Sequence, residues 1–255
     1  MIVALSVILF FLLLITGRSR GVRSFVTLYL NILIIIFYIF LMDKGINAIF
    51  LAVALSVAAS AIIIFLLNGS STKTKTAFIS VLIVLGISAG LTIAVTSFAN
   101  MQGFAEDKIE AVGGFNYDIN YSMAELIAGI FIVGIVGTVT DTAMSISSAL
   151  NEVHENNLQL SREELHRSGM NIGRDILSTT INTLFFALVL GIIGFFIWHK
   201  NADPGFLINY KSLTQSAVNL LLCFISSILI IPITSYITAD RLSKTKTVYR
   251  ARHRR

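Results

Sequence analysis

Seven apolar segments take up most of the 255 residues: Ile2 to Thr16, Phe25 to Met42, Ile46 to Leu67, Ala77 to Phe98, Tyr121 to Leu150, Ile176 to Trp198 and Leu213 to Ala239. A helix that crosses a bilayer needs about 20 apolar residues, with a range of about 17 to 25. The first segment is at the short limit and the other six reach the range. The stretches between them are too short for a separate soluble domain. The pattern predicts an all-α fold: a polytopic transmembrane helix bundle of about seven spans, with 1–255 as a single integral membrane domain. Composition agrees. The chain is 55% hydrophobic and 13% charged, where soluble domains carry about 25% charge.

The loops set an orientation. Lys and Arg accumulate on the cytoplasmic side of membrane proteins. With the N-terminus outside, the cytoplasmic segments are 17–24, 68–76, 151–175 and 240–255, and the external ones are 43–45, 99–120 and 199–212. Fifteen of the 19 basic residues then fall inside. Only Lys44, Lys108, Lys200 and Lys211 fall outside. An even number of spans would scramble this alternation. No basic stretch precedes the first apolar run and no small-residue cleavage site follows it. It is therefore expected to stay as a helix and not to be removed as a signal peptide.

The formal net charge of +5 requires no nucleic acid. The basic tail lies beside an anionic inner leaflet, where each Lys or Arg gains about 1 kcal/mol. The single cysteine, Cys223, rules out a disulfide within the chain. No metal-type Cys spacing occurs, and no cofactor is expected.

One ionisable residue lies deep inside an apolar segment: Asp141, in the run Gly134-Ile-Val-Gly137-Thr-Val-Thr-Asp141-Thr-Ala-Met-Ser145-Ile-Ser-Ser148. An Asp at the centre of a membrane helix costs roughly 2.5 to 3.5 kcal/mol on translocon scales, so such a residue marks a functional site by default. Gly134, Gly137, Asp141, Ser145, Ser148 and Glu152 follow steps of three and four and share one helix face. The glycines admit a close neighbouring backbone. Thr138 and Thr142 flank the acid and are able to hydrogen-bond to it.

The sixth segment carries a matching stripe: Asn171, Asp175, Ser178 and Asn182, with Arg174 at its entrance and Thr179, Thr180 and Thr183 beside it. Polar groups do not face lipid cheaply, so the two stripes are expected to meet or to line a watered cavity. The last segment adds Asn219, Ser226, Ser227 and Thr234, with a kink expected at Pro232. Between the fifth and sixth segments, Ser161-Arg-Glu-Glu164 is a capping-box pattern that starts a helix at about Arg162. That helix is expected to break near Gly169. Glu125 belongs to the outer interface, and an outer gate is its alternative role. His154 and His166 are expected to be solvated, and Tyr121 and Trp198 are interfacial aromatics. The external loop is acidic, with Glu106, Asp107, Glu110 and Asp118.

Hydroxyl and amide side chains also glue membrane helices together, at about 0.6 to 2 kcal/mol per contact. Glue does not call for an ionisable group at depth. A carboxyl that takes up and releases a proton does. Asp141 is thus read as a proton- or ion-coupling acid, against a purely structural role.

The run Gly137 to Glu152, together with Ser168-Gly-Met-Asn-Ile-Gly-Arg-Asp175 and Thr179-Thr-Ile-Asn-Thr183, closely resembles the YibE/F-like membrane protein family, in its smaller F-type form. The resemblance implies a bacterial cell membrane and a larger YibE-type subunit, or a second copy, as partner. It implies little about activity. The same pattern is more distantly similar to the export pair SecD and SecF of the resistance-nodulation-division transporters, which implies a six-helix core in spans two to seven and proton movement through intramembrane acids. Two departures stand out. Asp43-Lys44-Gly45 is too short to hold that superfamily's large outer domain, and its basic residue after the Asp motif is missing from Ala149 to Glu152.

The functional expectation is an integral subunit of a proton-coupled transport or export complex. Asp141 is the coupling acid, Asp175 and Arg174 tune the inner exit, and Thr138, Ser145, Ser148, Ser178 and Asn182 form a polar path. The alternative is a non-transporting scaffold that anchors a partner. An intramembrane enzyme is disfavoured. The chain has no nucleophile elbow, no metal-ligand cluster and no second deep Asp for an aspartyl dyad.

Overall fold

The computed structural model describes residues 1–42, 44–99, 101, 122–198, 205 and 210–252. Glu106, Asp107, Glu110, Asp118 and Tyr121 lie outside the described residues. The described residues form α1 (Ile2–Gly17), α2 (Ser19–Met42), α3 (Ala48–Ala61, continued by a π-helical stretch Ile62–Leu66), α4 (Thr72–Phe98), α5 (Met123–Asn156), α6 (Arg162–Trp198) and α7 (Lys211–Arg252). The polytopic all-α bundle expected from the apolar pattern is what forms. Among the described residues, six helices, α2 to α7, are long and apolar enough to cross a membrane. The 16 residues of α1 reach only about 24 Å at 1.5 Å per residue.

Helix ends show how the sequence sets its own boundaries. Asn47 caps α3, its Oδ1 accepting from the backbone N–H of Ile49 and Phe50 at 3.1 Å each. Ser71 and Thr74 form a reciprocal capping box at α4. The Ser161 N–H donates to Glu164 Oε2 at 2.7 Å, and the Glu164 N–H donates to Ser161 Oγ at 3.3 Å. The helix behind that box starts at Arg162, where the pattern places it. Between α1 and α2 only Arg18 intervenes, with a left-handed φ of 45°. The chain folds straight back there, so α1 lies along α2 at the edge of the bundle.

The core is built by α4, α5 and α7, with α3 on α5 and α6 on α7. Val81, Val84, Ile132, Ile135, Val139, Ile146 and Ile230 are among its buried apolar residues. Hydroxyls thread between them. Ser147 donates to the Lys73 carbonyl at 2.7 Å and pairs with Thr76 at 2.8 Å, and Thr238 donates to Ser147 at 3.4 Å. Ser88 and Ser226 pair at 2.8 Å. Apolar burial does not drive helices together in lipid, so close packing of small side chains and hydrogen bonds of this kind hold them. These contacts also fix a common end of the bundle, where α4 and α6 begin and α5 and α7 end. We call it the basic end, after Lys73, Lys75, Arg162, Arg167, Arg241 and Lys244.

Two expectations are corrected. The helix after Ser161 does not break near Gly169, because α6 is continuous to Trp198. Gly169 and Gly173 are instead packing positions. A Cβ at Gly169 would sit 2.7 Å from Ser235 Oγ and 2.9 Å from Leu150 Cδ1, and one at Gly173 would press on Ile231. The stretch 151–175 is mostly helix, as α5 runs to Asn156 and α6 starts at Arg162. Finally, His154 and His166 are not solvated. His154 is 7% exposed at the end of α5. His166 is half-buried, with its ring edge-on to Tyr236 at 6.3 Å.

Candidate functional site

The local sequence of α5 gives its two sides different chemistry. Ile132, Ile135, Val139, Thr140, Ala143, Ile146, Ser147 and Leu150 turn inward and are buried. Gly137, Asp141, Ser145 and Glu152 recur at helical spacing on the other side and are exposed. On α6 the same division holds. Gly169 and Gly173 pack inward, while Asn171, Arg174, Asp175, Ser178, Thr179, Asn182 and Thr183 are exposed. Among the described residues, the apolar stretch of α6 up to Ile193 contains no buried residue. Ser148 is half-buried at the edge of the face.

The two stripes therefore do not close on each other inside one chain. Asp141, Arg174 and Asp175 make no ion pair or side-chain hydrogen bond with any described residue. Thr138, half-buried, donates to the Ile135 carbonyl at 2.9 Å and not to Asp141. Thr179 and Thr183 likewise donate to carbonyls of their own helix, at 2.8 and 2.9 Å. The two glycines of α5 differ. A Cβ at Gly134 would lie 3.2 Å from Asn219 Oδ1 of α7, whereas at Gly137 it would meet nothing within 4 Å. Gly134 thus lets α7 approach, and Gly137 leaves open backbone beside Asp141.

At the opposite end of the bundle, Glu125 accepts from Asn47 Nδ2 at 2.9 Å, so it steadies the α3 cap. At the basic end, Arg162 and Lys244 bracket Asp240 at 3.4 and 2.6 Å, and Arg162 stacks over Tyr236 at 4.5 Å. Among the described residues no group of three His, Cys, Asp or Glu side chains is placed to hold a metal.

A second set of polar residues escaped the reading of the sequence. Thr76, Ser80, Ser88, Thr92 and Thr96 run along α4 at multiples of four and are all buried. Their spacing was the available signal. Thr92, Thr140, Ser227, Thr234 and Ser235 are fully buried hydroxyls with no hydrogen-bond partner among the described residues. The polar interior of the bundle is therefore α4–α5–α7, and it is distinct from the face that carries Asp141.

The model of the YibE/F-like protein family matches residues 5–244. The chain belongs to the YibE/F-like family. The match takes in all of α2 to α6, so both the Asp141 face and the hydroxyl-rich interior lie within the YibE/F-like region. No curated protein and no solved structure matches the chain. The expected similarity to SecD and SecF finds no support in these comparisons. A YibE/F-like protein with these helices is a multi-pass membrane protein in contact with the lipid bilayer.

Proposed function

We propose that this chain is the integral subunit of a proton-coupled transport or export complex, in which Asp141 takes up and releases the coupling proton. The observation that carries the reading is one carboxyl, exposed and unpaired, within an apolar span. A structural acid at that depth is paired, and Asp141 has no described partner. The backbone beside Asp141 is open at Gly137, where a Cβ would meet nothing within 4 Å. Ser145, Ser148, Ser178, Asn182 and Thr138 supply hydroxyl and amide groups on the way, and Asp175 with Arg174 sets the charge where the path meets the basic end. The basic end faces the cytoplasm of a bacterial cell.

An apolar carbodiimide tests the site chemically, because it modifies protonated carboxyls that lie in apolar surroundings. We expect it to label wild-type protein at Asp141 and to leave Asp141→Asn unlabelled there. Equal labelling of both proteins at Glu152 or Asp175 alone would contradict the assignment. The scaffold reading draws on the same open Gly137 surface, which a partner helix would fit. It expects Asp141→Asn to be harmless.

A further inference from the structure

We infer that the exposed polar face of α5 and α6 is a two-fold interface with a second copy of this chain. The inference does not depend on whether Asp141 carries protons. A face bearing Asp141, Ser145, Ser178 and Asn182 within apolar segments, with Arg174 and Asp175 at its entrance, does not face lipid, because a charge at the depth of Asp141 costs several kcal/mol and each polar group requires a partner.

The face carries both signs of charge, which suits a self-complementary contact. In a two-fold interface the same patch is used on both copies, and each residue meets its counterpart's partner. Relative depths follow from the Gly169–Leu150 contact. Arg174 lies five residues beyond Gly169 on α6, or about 7.5 Å deeper at 1.5 Å per residue. On α5, which runs the other way, that depth falls near Ser145, between Asp141 and Glu152. Two copies that share one membrane orientation meet at equal depths. Each Arg174 then faces the acidic stripe of the other copy, and its side chain leans toward the helix N-terminus, which brings it toward Glu152. The open backbone at Gly137 supplies the close approach that small residues give membrane helices. Exposed Ile130 and Phe186 add apolar contact at the margin.

The test uses full-length protein in membranes, with two differently tagged copies expressed together. Cys223, the only cysteine, is replaced by Ala. Ser145→Cys and Ser178→Cys are introduced separately, with Phe50→Cys on α3, 69% exposed, as the reference position. A short bifunctional thiol cross-linker should join the two tags at Ser145→Cys and Ser178→Cys and not at Phe50→Cys. Arg174→Glu should lower that yield, and Glu152→Arg added to it should restore it. Four results would overturn the inference: cross-linking only to a different protein, equal cross-linking at Phe50→Cys, a charge reversal without effect or rescue, or free labelling of both thiols by a water-soluble maleimide without any cross-link. The last would mean that the face lines a watered groove. Asp141 is intact throughout, so failure here leaves the proton-coupling reading to its own test.

Discussion

Ser145 and Ser147 are two residues apart on α5 and live in different surroundings. Ser147 is buried and holds the Lys73 carbonyl, Thr76 and Thr238, while Ser145 is exposed with no described partner. Ser147→Ala should lower stability by about 1 kcal/mol, within the range of about 0.6 to 2 kcal/mol for a hydrogen bond between membrane helices. Ser145→Ala in the isolated chain should leave stability unchanged. Unfolding in mixed micelles checks the pair, and equal losses would contradict the assignment of inside and outside. Helical spacing puts Ser145 on the Asp141 stripe and Ser147 off it, but it does not say which of the two turns inward, because both are small hydroxyls in one apolar run. Asp141 is legible for the opposite reason, since its charge costs too much in lipid to be incidental.

Among the elements, α6 shows most clearly what packing decides. Its inward face is set by Gly169 and Gly173, one turn apart, against Ser235, Leu150 and Ile231. A glycine near the start of a helix reads as a breaker in sequence, and here the backbone of α6 comes too near its neighbours for any side chain. Gly173→Leu should separate α6 from α7 and cost about 1 to 3 kcal/mol, the usual penalty of overpacking. Gly137→Leu, where a Cβ meets nothing within 4 Å, should leave the fold of the single chain intact. Thermal unfolding of both variants in detergent checks this, and a tolerated Gly173→Leu would contradict it. The start of α6 was legible because a capping box is local chemistry. The buried hydroxyl stripe of α4 was not, since uncharged Ser and Thr are common in membrane helices and lipid is as apolar as a protein core. Hydrophobic periodicity therefore does not tell the two faces apart.

At the scale of the whole molecule, the bundle separates two polar systems. One is an interior of small hydroxyls that ties α4, α5 and α7 together. The other is an outward face of α5 and α6 that holds the unpaired charges. The seven apolar segments and their helices were plain in the sequence, because span length and hydropathy leave few alternatives. Which helices form the centre was not, because that is fixed by contacts such as Ser88 with Ser226 and Thr76 with Ser147, far apart in the chain. The central claim is that the outward face moves protons through Asp141. Proton flux into proteoliposomes under an imposed pH gradient and voltage tests it most directly, comparing wild type with Asp141→Asn and with Asp141→Glu at matched thermal stability. The account predicts flux in wild type, its loss in Asp141→Asn and partial retention in Asp141→Glu. Equal flux in wild type and Asp141→Asn, or none in the presence of a YibE-type partner, would contradict it.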